Sequence, residues 1–337
     1  KTCDDYLSGV IGWRQTELAP EIGELREYRH LDIAPRSGLN VVLTLDSGLQ
    51  SIVEEELKKG VTTSNPKSAT VIMVRPQTGE ILAMASYPTY NPNQPATATS
   101  NNGAGKNRAI MDQFEPGSTF KIVSISSALS EGTSRLNDII HCNHGRYSNG
   151  RWRLSDDHGY GNLSVMEVFA KSSNIGTYKI IRKVGQERFF QYIKGFGFGQ
   201  RTGVQLPGEL AGKVHHVDDW RDVTMSRVAI GYTISVTPLQ ITMAMAAIAN
   251  GGRLMQPMII DRIEYPDGKV MSHYDPHMVH QVMTKESTRD IIKAMTQVVG
   301  NKGTARRAKL DDYTVAGKTG TARKIVDGRY THSKHLA

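Results

Sequence analysis

The 337-residue chain has little of several things that would fix its class at once. Its 2 cysteines, Cys3 and Cys142, are too few for a disulfide framework; they could pair in an oxidising compartment or both stay free. No apolar run approaches the ~18 residues that would span a bilayer. The richest stretch, residues 241–250 (ITMAMAAIAN), stops at Gly251-Gly252 and reads as a buried helix with a glycine end. Neither an initiator Met nor a signal peptide opens the chain at Lys1. It is therefore expected to be a piece of a longer protein, with any membrane anchor or export signal upstream. No repeat with a period of ~20–50 residues is present. Charge is not concentrated either. Lys+Arg number 41 against 33 Asp+Glu, a net +8, but the basic residues are scattered apart from Arg306, Arg307 and Lys309. Without a recognition helix or an aromatic RNA-binding signature, this reads as a solvated basic surface, and no nucleic-acid partner is expected. His141, Cys142 and His144 crowd three ligand types into four residues, which is not a zinc spacing, so no metal is expected. Residues 195–199 (GFGFG) follow a helical pattern and lack the G-x-G-x-x-G order of a nucleotide loop, so they read as a turn.

What is present is an ordinary globular content, with 39% hydrophobic residues and 32 glycines, which excludes whole-chain disorder and collagen-like repeats. Residues 1–37 show no sustained period. From Asn40 the texture changes: a strand pattern over 40–46, then a helix over 47–60 with Leu49, Ile52, Val53 and Leu57 on one face and Gly60 closing it. Two apolar runs flank Pro76-Gln77-Thr78-Gly79, which predicts a hairpin over 69–86. Residues 87–107 read as a long loop, of a length more often functional than idle. Helical pattern follows from 116, strand-like pieces over 138–155, and helices over 164–184, 186–194, 238–250 and 285–299. A second hairpin turns at Pro266-Asp267-Gly268, and residues 313–326 form a last strand pattern. Strands at both ends with helices between them predict an α+β fold, an antiparallel sheet packed on helices.

Three short motifs carry candidate chemistry. Ser118-Thr119-Phe120-Lys121 follows Pro116-Gly117, which places Ser118 at the first turn of a helix with Lys121 on the same face. A serine hydroxyl needs a neighbour to take its proton, and a lysine can do so only when neutral. Ser172-Ser173-Asn174 falls between two helical runs, 54 residues after Ser118, where a hydroxyl and an amide could relay a proton and hold a carbonyl. Lys318-Thr319-Gly320-Thr321, starting 200 residues after Ser118, offers a cation, two hydroxyls and a glycine that lets a ligand backbone approach. Singly, each has an ordinary explanation: an N-cap serine, a capped helix–helix turn, a strand glycine beside polar residues.

Their order is less ordinary. Ser-x-x-Lys, then Ser-x-Asn, then Lys-Thr-Gly is the set found in penicillin-binding proteins and class A β-lactamases. With residues 75–93, 114–121, 171–176, 202–209, 235–240, 249–252 and 316–324, the chain resembles the transpeptidase domain of class B penicillin-binding proteins. The strings IGYTISVTPLQ and AGKTGTARK are more similar to the division-type members, although Thr233 stands where those more often have glycine after Tyr232. The resemblance covers residues 38–337, and residues 1–37 resemble the end of that family's non-catalytic pedestal domain. It implies a penicillin-binding protein/serine β-lactamase-like fold and a D,D-transpeptidase that cross-links peptidoglycan. Ser118 would be the nucleophile, Lys121 its base, Ser172 the proton carrier and Lys318 the nearby cation. Asn174 would hold the acyl amide; Thr319, Gly320 and Thr321 would receive the terminal carboxylate, beside Tyr232. The amides of Ser118 and Thr321 would form the oxyanion hole. The partners implied are stem peptides, one a D-Ala-D-Ala donor and one an amine acceptor, β-lactam antibiotics, a membrane glycosyltransferase and divisome proteins. No cofactor or metal is implied. The location implied is the periplasmic face, with an N-terminal membrane helix absent from this chain.

Three other uses of the same acyl-enzyme stay open: a D,D-carboxypeptidase, a serine β-lactamase, for which no water-activating base can be assigned, and an acylated sensor of β-lactams. The family follows its Lys-Thr-Gly strand with two more strands and a helix. Only 17 residues follow Gly320 here, which leaves no room for them and predicts a C-terminally incomplete domain.

Overall fold

The computed structural model describes residues 2–21, 23–25, 31–100, 103–326 and 329–336. The helix Lys121–Ser130 sits at the centre. Every residue from Lys121 to Ala128 is buried, so this helix has no solvent face. Two of its serines bond internally: Ser124 Oγ donates to Ala229 O (2.7 Å) and Ser127 Oγ to Ser124 O (2.8 Å), while the buried Ser126 Oγ has no partner among the described residues. Around it pack the helices Asn174–Val184, Gln186–Gly195 and Lys285–Val299. Phe120, just before it, meets Phe198 and Phe189 edge-on, with ring centroids 5.1 and 6.5 Å apart.

All the strand pairs between named strands are antiparallel, as the patterns predict, but the pairing is divided among small sheets. The hairpin Ala69–Val74/Ile81–Tyr87 turns at the expected residues. It packs on the helix Ser47–Ser64 and on the buried helix Pro238–Ala249. A three-stranded sheet joins Asn40–Leu43, Ile260–Glu264 and Val270–His273. Met258 stitches the two together: Ile81 N donates to Met258 O (2.8 Å) and Met258 N to Gly79 O (2.9 Å). The first helix outruns its predicted end. Thr62 and Thr63 bond back to Lys58 O and Lys59 O, and the helix closes at Asn65, φ 44°, rather than at Gly60. The helix Asp222–Val228 and the paired strands Arg253–Met255 and Met278–Gln281 had no sequence signal long enough to show. Residues 195–199 do form a turn, with Gly197 and Gly199 at positive φ.

The expectation that no further strand fits after the Lys-Thr-Gly motif needs correcting. After the Lys-Thr-Gly motif the chain does fit a further strand: Ala322–Val326 pairs antiparallel with Arg329–Leu336, Ala322 opposite Leu336. The strand is also shorter than the 313–326 pattern. Gly317 N donates to Met295 O (3.2 Å), and Gly320 lies against Thr119, so residues 317–320 follow the helices before they join a ladder.

Candidate active site

Each motif is positioned by a backbone feature of its own. Gly117–Phe120 form one 3-10 turn that runs into the central helix, with Gly117 at φ 55°. Gly117 N donates to Gly231 O (3.0 Å), and a Cβ on Gly231 would lie 2.1 Å from Gly117 O. Only glycine allows these two backbones so close, and this contact brings Tyr232 beside Ser118. The second motif is a helix start. Ser173 caps Asn174–Val184, its Oγ accepting from Gly176 N (2.9 Å). Ser172, just before it, adopts φ 60°, which a non-glycine residue holds only under constraint. That constraint comes from Asp156. Its carboxylate accepts from Ser173 Oγ (2.6 Å), Asn174 N (2.5 Å) and Ile175 N (3.0 Å), placing a negative charge at the helix N-terminus. Asp156 had no signal in the sequence, because its three-residue strand neighbourhood carries no motif.

Ser172 is where the motifs meet. Lys121 is fully buried, and its Nζ donates to Ser172 O (2.6 Å), Asn174 Oδ1 (2.7 Å) and Ser172 Oγ (3.2 Å). From the other side Lys318 Nζ donates to Ser172 Oγ (3.0 Å) and to Thr319 O (2.8 Å), 5.8 Å above the Phe169 ring. One hydroxyl thus stands between two amines. Burial pushes the Lys121 ammonium well below the ordinary lysine range, and the neighbouring Lys318 charge pushes the same way, against Asp156 and Asp157. Burial alone brings Lys318 down to about 8. With Lys121 neutral, its two N–H groups suit Ser172 O and Asn174 Oδ1, which leaves a lone pair to accept a proton.

The direct Ser118–Lys121 bond that the i, i+3 spacing predicts is not made. Among the described residues Ser118 Oγ has no hydrogen-bond partner. The 3-10 turn winds Ser118 more tightly than an α-helix, while two carbonyl oxygens hold Lys121 toward Ser172. Two other expectations change. Thr319 turns away from the cleft, its Oγ1 2.7 Å from Thr304 Oγ1. Gly320 admits not a ligand but the protein itself, since a Cβ there would lie 2.5 Å from Thr119 Cγ2. That contact fastens the third motif to the first.

Ser118, Ser172, Asn174, Tyr232 and Thr321 line one cleft of about 850 Å³. The amides of Ser118 and Thr321 have no backbone partner among the described residues, so two donors remain for an incoming oxygen. In the His141–His144 stretch the His141 ring bonds Asn162 Oδ1 (2.9 Å), and Cys142 is a buried free thiol, not bonded to Cys3; the Cys142 Sγ lies 3.5 Å from Ser173 Oγ of the second motif. Among the described residues no group of three or more His, Cys, Asp or Glu is arranged to hold a metal.

Known proteins share this arrangement. The family described as "Penicillin binding protein transpeptidase domain" matches residues 69–336. A protein of Neisseria meningitidis named "Probable peptidoglycan D,D-transpeptidase PenA" is 34% identical over 99% of this chain and 54% of its own length. The chain therefore spans about half the length of that curated relative. The ampicillin complex of penicillin-binding protein 3 from Mycobacterium tuberculosis superposes with TM-score 0.83 at 33% identity, covering 91% of this chain and 69% of that one. The transpeptidase domain of penicillin-binding protein 3 from Burkholderia pseudomallei gives TM-score 0.76 at 31% identity, covering 87% and 81%. With its three motifs meeting at Ser172 and four-fifths of its length matched, this chain belongs to the penicillin-binding protein transpeptidase family.

Proposed function

We propose that this chain catalyses D,D-transpeptidation of peptidoglycan stem peptides through an acyl-enzyme on Ser118, and that β-lactams acylate the same serine. The observation that carries the reading is the hydroxyl of Ser172 held between the amines of Lys121 and Lys318, at the edge of the cleft that Ser118 enters.

In this reading Ser118 Oγ attacks the carbonyl carbon of the penultimate D-alanine and gives its proton to neutral Lys121. The carbonyl oxygen becomes an oxyanion and takes the free amides of Ser118 and Thr321. The C–N bond breaks, the departing amine receives a proton by way of Ser172, and D-alanine leaves. The Lys318 cation keeps Ser172 a good proton donor. Asn174 holds the acyl amide, and Thr321 receives the terminal carboxylate; Thr319 and Gly320 support that segment from behind. The amine of a second stem peptide then attacks the ester and frees Ser118. Tyr232 forms the wall beside the acyl group. Residues 1–37 are proposed as the end of a pedestal domain, and the full protein as membrane-anchored, extracytoplasmic and working with a glycosyltransferase and division proteins. The sequence strings shared with division-type members support that last assignment.

The test is intact mass after incubation with a penicillin, for the protein and for Ser118→Ala, followed by product analysis with a D-Ala-D-Ala donor and an acceptor amine. A stable adduct on the protein alone and an amide product support the proposal. Labelling of Ser118→Ala sinks the nucleophile; rapid loss of the adduct makes the chain a β-lactamase. Release of D-alanine to water alone makes it a carboxypeptidase, and a lasting adduct without turnover makes it a sensor.

A further inference from the structure

One wall of the cleft carries charge that the reaction above does not use. The strands Arg146–Ser148 and Arg153–Ser155 form a hairpin in which Arg146 faces Ser155 and Arg153 faces Ser148. Directly opposed residues share a face of a sheet, and so do alternate residues along a strand. Arg146, Ser148, Arg153 and Ser155 therefore lie on one side, all exposed to solvent. Tyr147 and Leu154 take the other side and pack with Tyr178 and Ile230. Trp152 locks the hairpin further, its ring centroid 5.1 Å from Tyr178 and 5.7 Å from Tyr147. A third guanidinium joins from the helix Asp222–Val228: Arg227 Nη2 donates to Arg153 O (3.0 Å). All three arginines line the same cleft as Ser118. None of them makes a salt bridge among the described residues, and Asp157 is the single carboxylate on the cleft wall. Three guanidiniums gathered with no carboxylate paired to them among the described residues, on a strand pair stiffened from behind, make a receptor for an anion.

The hairpin also fixes which end of a substrate it would meet. Asn174 Nδ2 donates to Ser155 O (2.9 Å), so the residue proposed to hold the acyl amide is tied to the end of the arginine-bearing strand. In the reading proposed above, a peptide extending past Asn174 would meet Ser155, Arg153 and Arg146. Thr321, proposed for the terminal carboxylate, reaches the cleft on a different segment of the chain, after the Lys-Thr-Gly motif. We propose that Arg146 and Arg153, with Arg227 behind them, recognise a carboxylate on the side chain of the residue preceding D-Ala-D-Ala in the donor peptide. This rests on the acyl-site direction given under Proposed function, but not on turnover.

The test is binding of two synthetic peptides ending in D-Ala-D-Ala to the Ser118→Ala protein, which cannot turn them over. The peptides differ only in whether the preceding side chain ends in a carboxylate or its amide. The carboxylate peptide is expected to bind about 10-fold more tightly, the size of one charge-assisted hydrogen bond. That preference is expected to vanish in a protein also carrying Arg146→Gln and Arg153→Gln, and to shrink in Ser118→Ala between about 50 mM and 500 mM salt. Should the added substitutions prevent folding, the salt dependence decides. A ratio near one, a ratio indifferent to both arginines and salt, or no binding of the carboxylate peptide at millimolar concentration overturns the proposal. Penicillin labelling of the unsubstituted protein is read separately. Loss of labelling with the preference intact refutes the reaction and leaves the arginine wall; labelling without preference does the reverse.

Discussion

Raising the pH from 8 to 10 is expected to slow acylation and to stabilise the fold at the same time. Both effects come from Lys318, whose ammonium burial brings down to about 8 from the ordinary value of 10.5. The difference is worth roughly 3 kcal/mol, at ~1.4 kcal/mol for each tenfold change in proton affinity. Below about 8 the folded and unfolded chains both hold the proton, and the folded chain carries the full cost of a buried charge. Between about 8 and 10.5 the unfolded chain still holds it while the folded chain has released it, so stability rises with pH by up to ~1.4 kcal/mol per unit. Lys121, held well below the ordinary 10.5 by burial and the Lys318 charge, acts in the same sense. Tyr192 acts in the opposite sense: burial and the Glu131 carboxylate raise it to about 12, so the unfolded tyrosine ionises first and stability falls above about 10. The expected curve therefore climbs from pH 8 and turns over near 10.

Acylation follows the charge instead. If the proton on Ser172 is delivered under the field of a charged Lys318, the rate falls about tenfold per unit above pH 8, to roughly a hundredth at pH 10. On the acid side it falls again as Lys121 becomes protonated. The assay is stopped-flow acylation by a fluorescent penicillin, paired with urea melts at each pH. Lys318→Ala should start slow and show no further loss above pH 8. Acylation that holds through pH 10 would refute the role of the Lys318 charge. A fall in stability from pH 8 to 10 in step with acylation would mean that the loss is unfolding, and the burial argument would fail.

Other outcomes follow from single contacts. Lys121→Arg keeps a cation that stays protonated, so labelling by penicillin should drop about 10²–10⁴-fold while circular dichroism stays unchanged. Asp156→Ala removes the acceptor for Ser173 Oγ, Asn174 N and Ile175 N and should cost about 2–4 kcal/mol in urea melts; Asp156→Asn, which keeps an acceptor oxygen, should cost less. Thr233 is a β-branched residue at φ 61°, its N donating to Glu115 Oε1 at 2.8 Å. Thr233→Gly keeps that amide and removes the strain, so stability should rise by about 0.5–1 kcal/mol after the extra entropy of glycine is set against it. A loss of stability in that variant would mean that the threonine side chain contributes more than its backbone costs.

Much of this was legible in the sequence, and the reason lies in range. The hairpin at 69–86, the helix over 285–299 and the turn at 195–199 are set by neighbours a few residues apart, and periodicity and turn residues report such neighbours directly. The motifs were legible for the same reason: Pro116-Gly117 marks the start of a helix and Ser173 caps the next. Gly60 misled because glycine is only one way to end a helix. Here Asn65, five residues after Gly60, takes the left-handed conformation, and the helix runs through the glycine, with Thr62 and Thr63 bonding back to Lys58 O and Lys59 O.

The site's cross-connections were not legible, and Gly320 shows why. A glycine in a polar extended segment announces that something comes close; it cannot say what. The sequence reading supplied a ligand, and the structure supplies Thr119, 201 residues earlier in the chain. The same holds for Lys121, whose spacing pointed at Ser118 while burial beside the Asn174 helix turned it to Ser172. Asp156 and the arginine hairpin lie further from reach, because strands of three residues leave no period to read and their partners are found only in three dimensions. The residues that perform the proposed chemistry were thus visible one by one. What makes them a site is the network of contacts with no local signature: Gly117 on Gly231, Gly320 on Thr119, and Asp156 under the turn that holds Ser172 between two lysines.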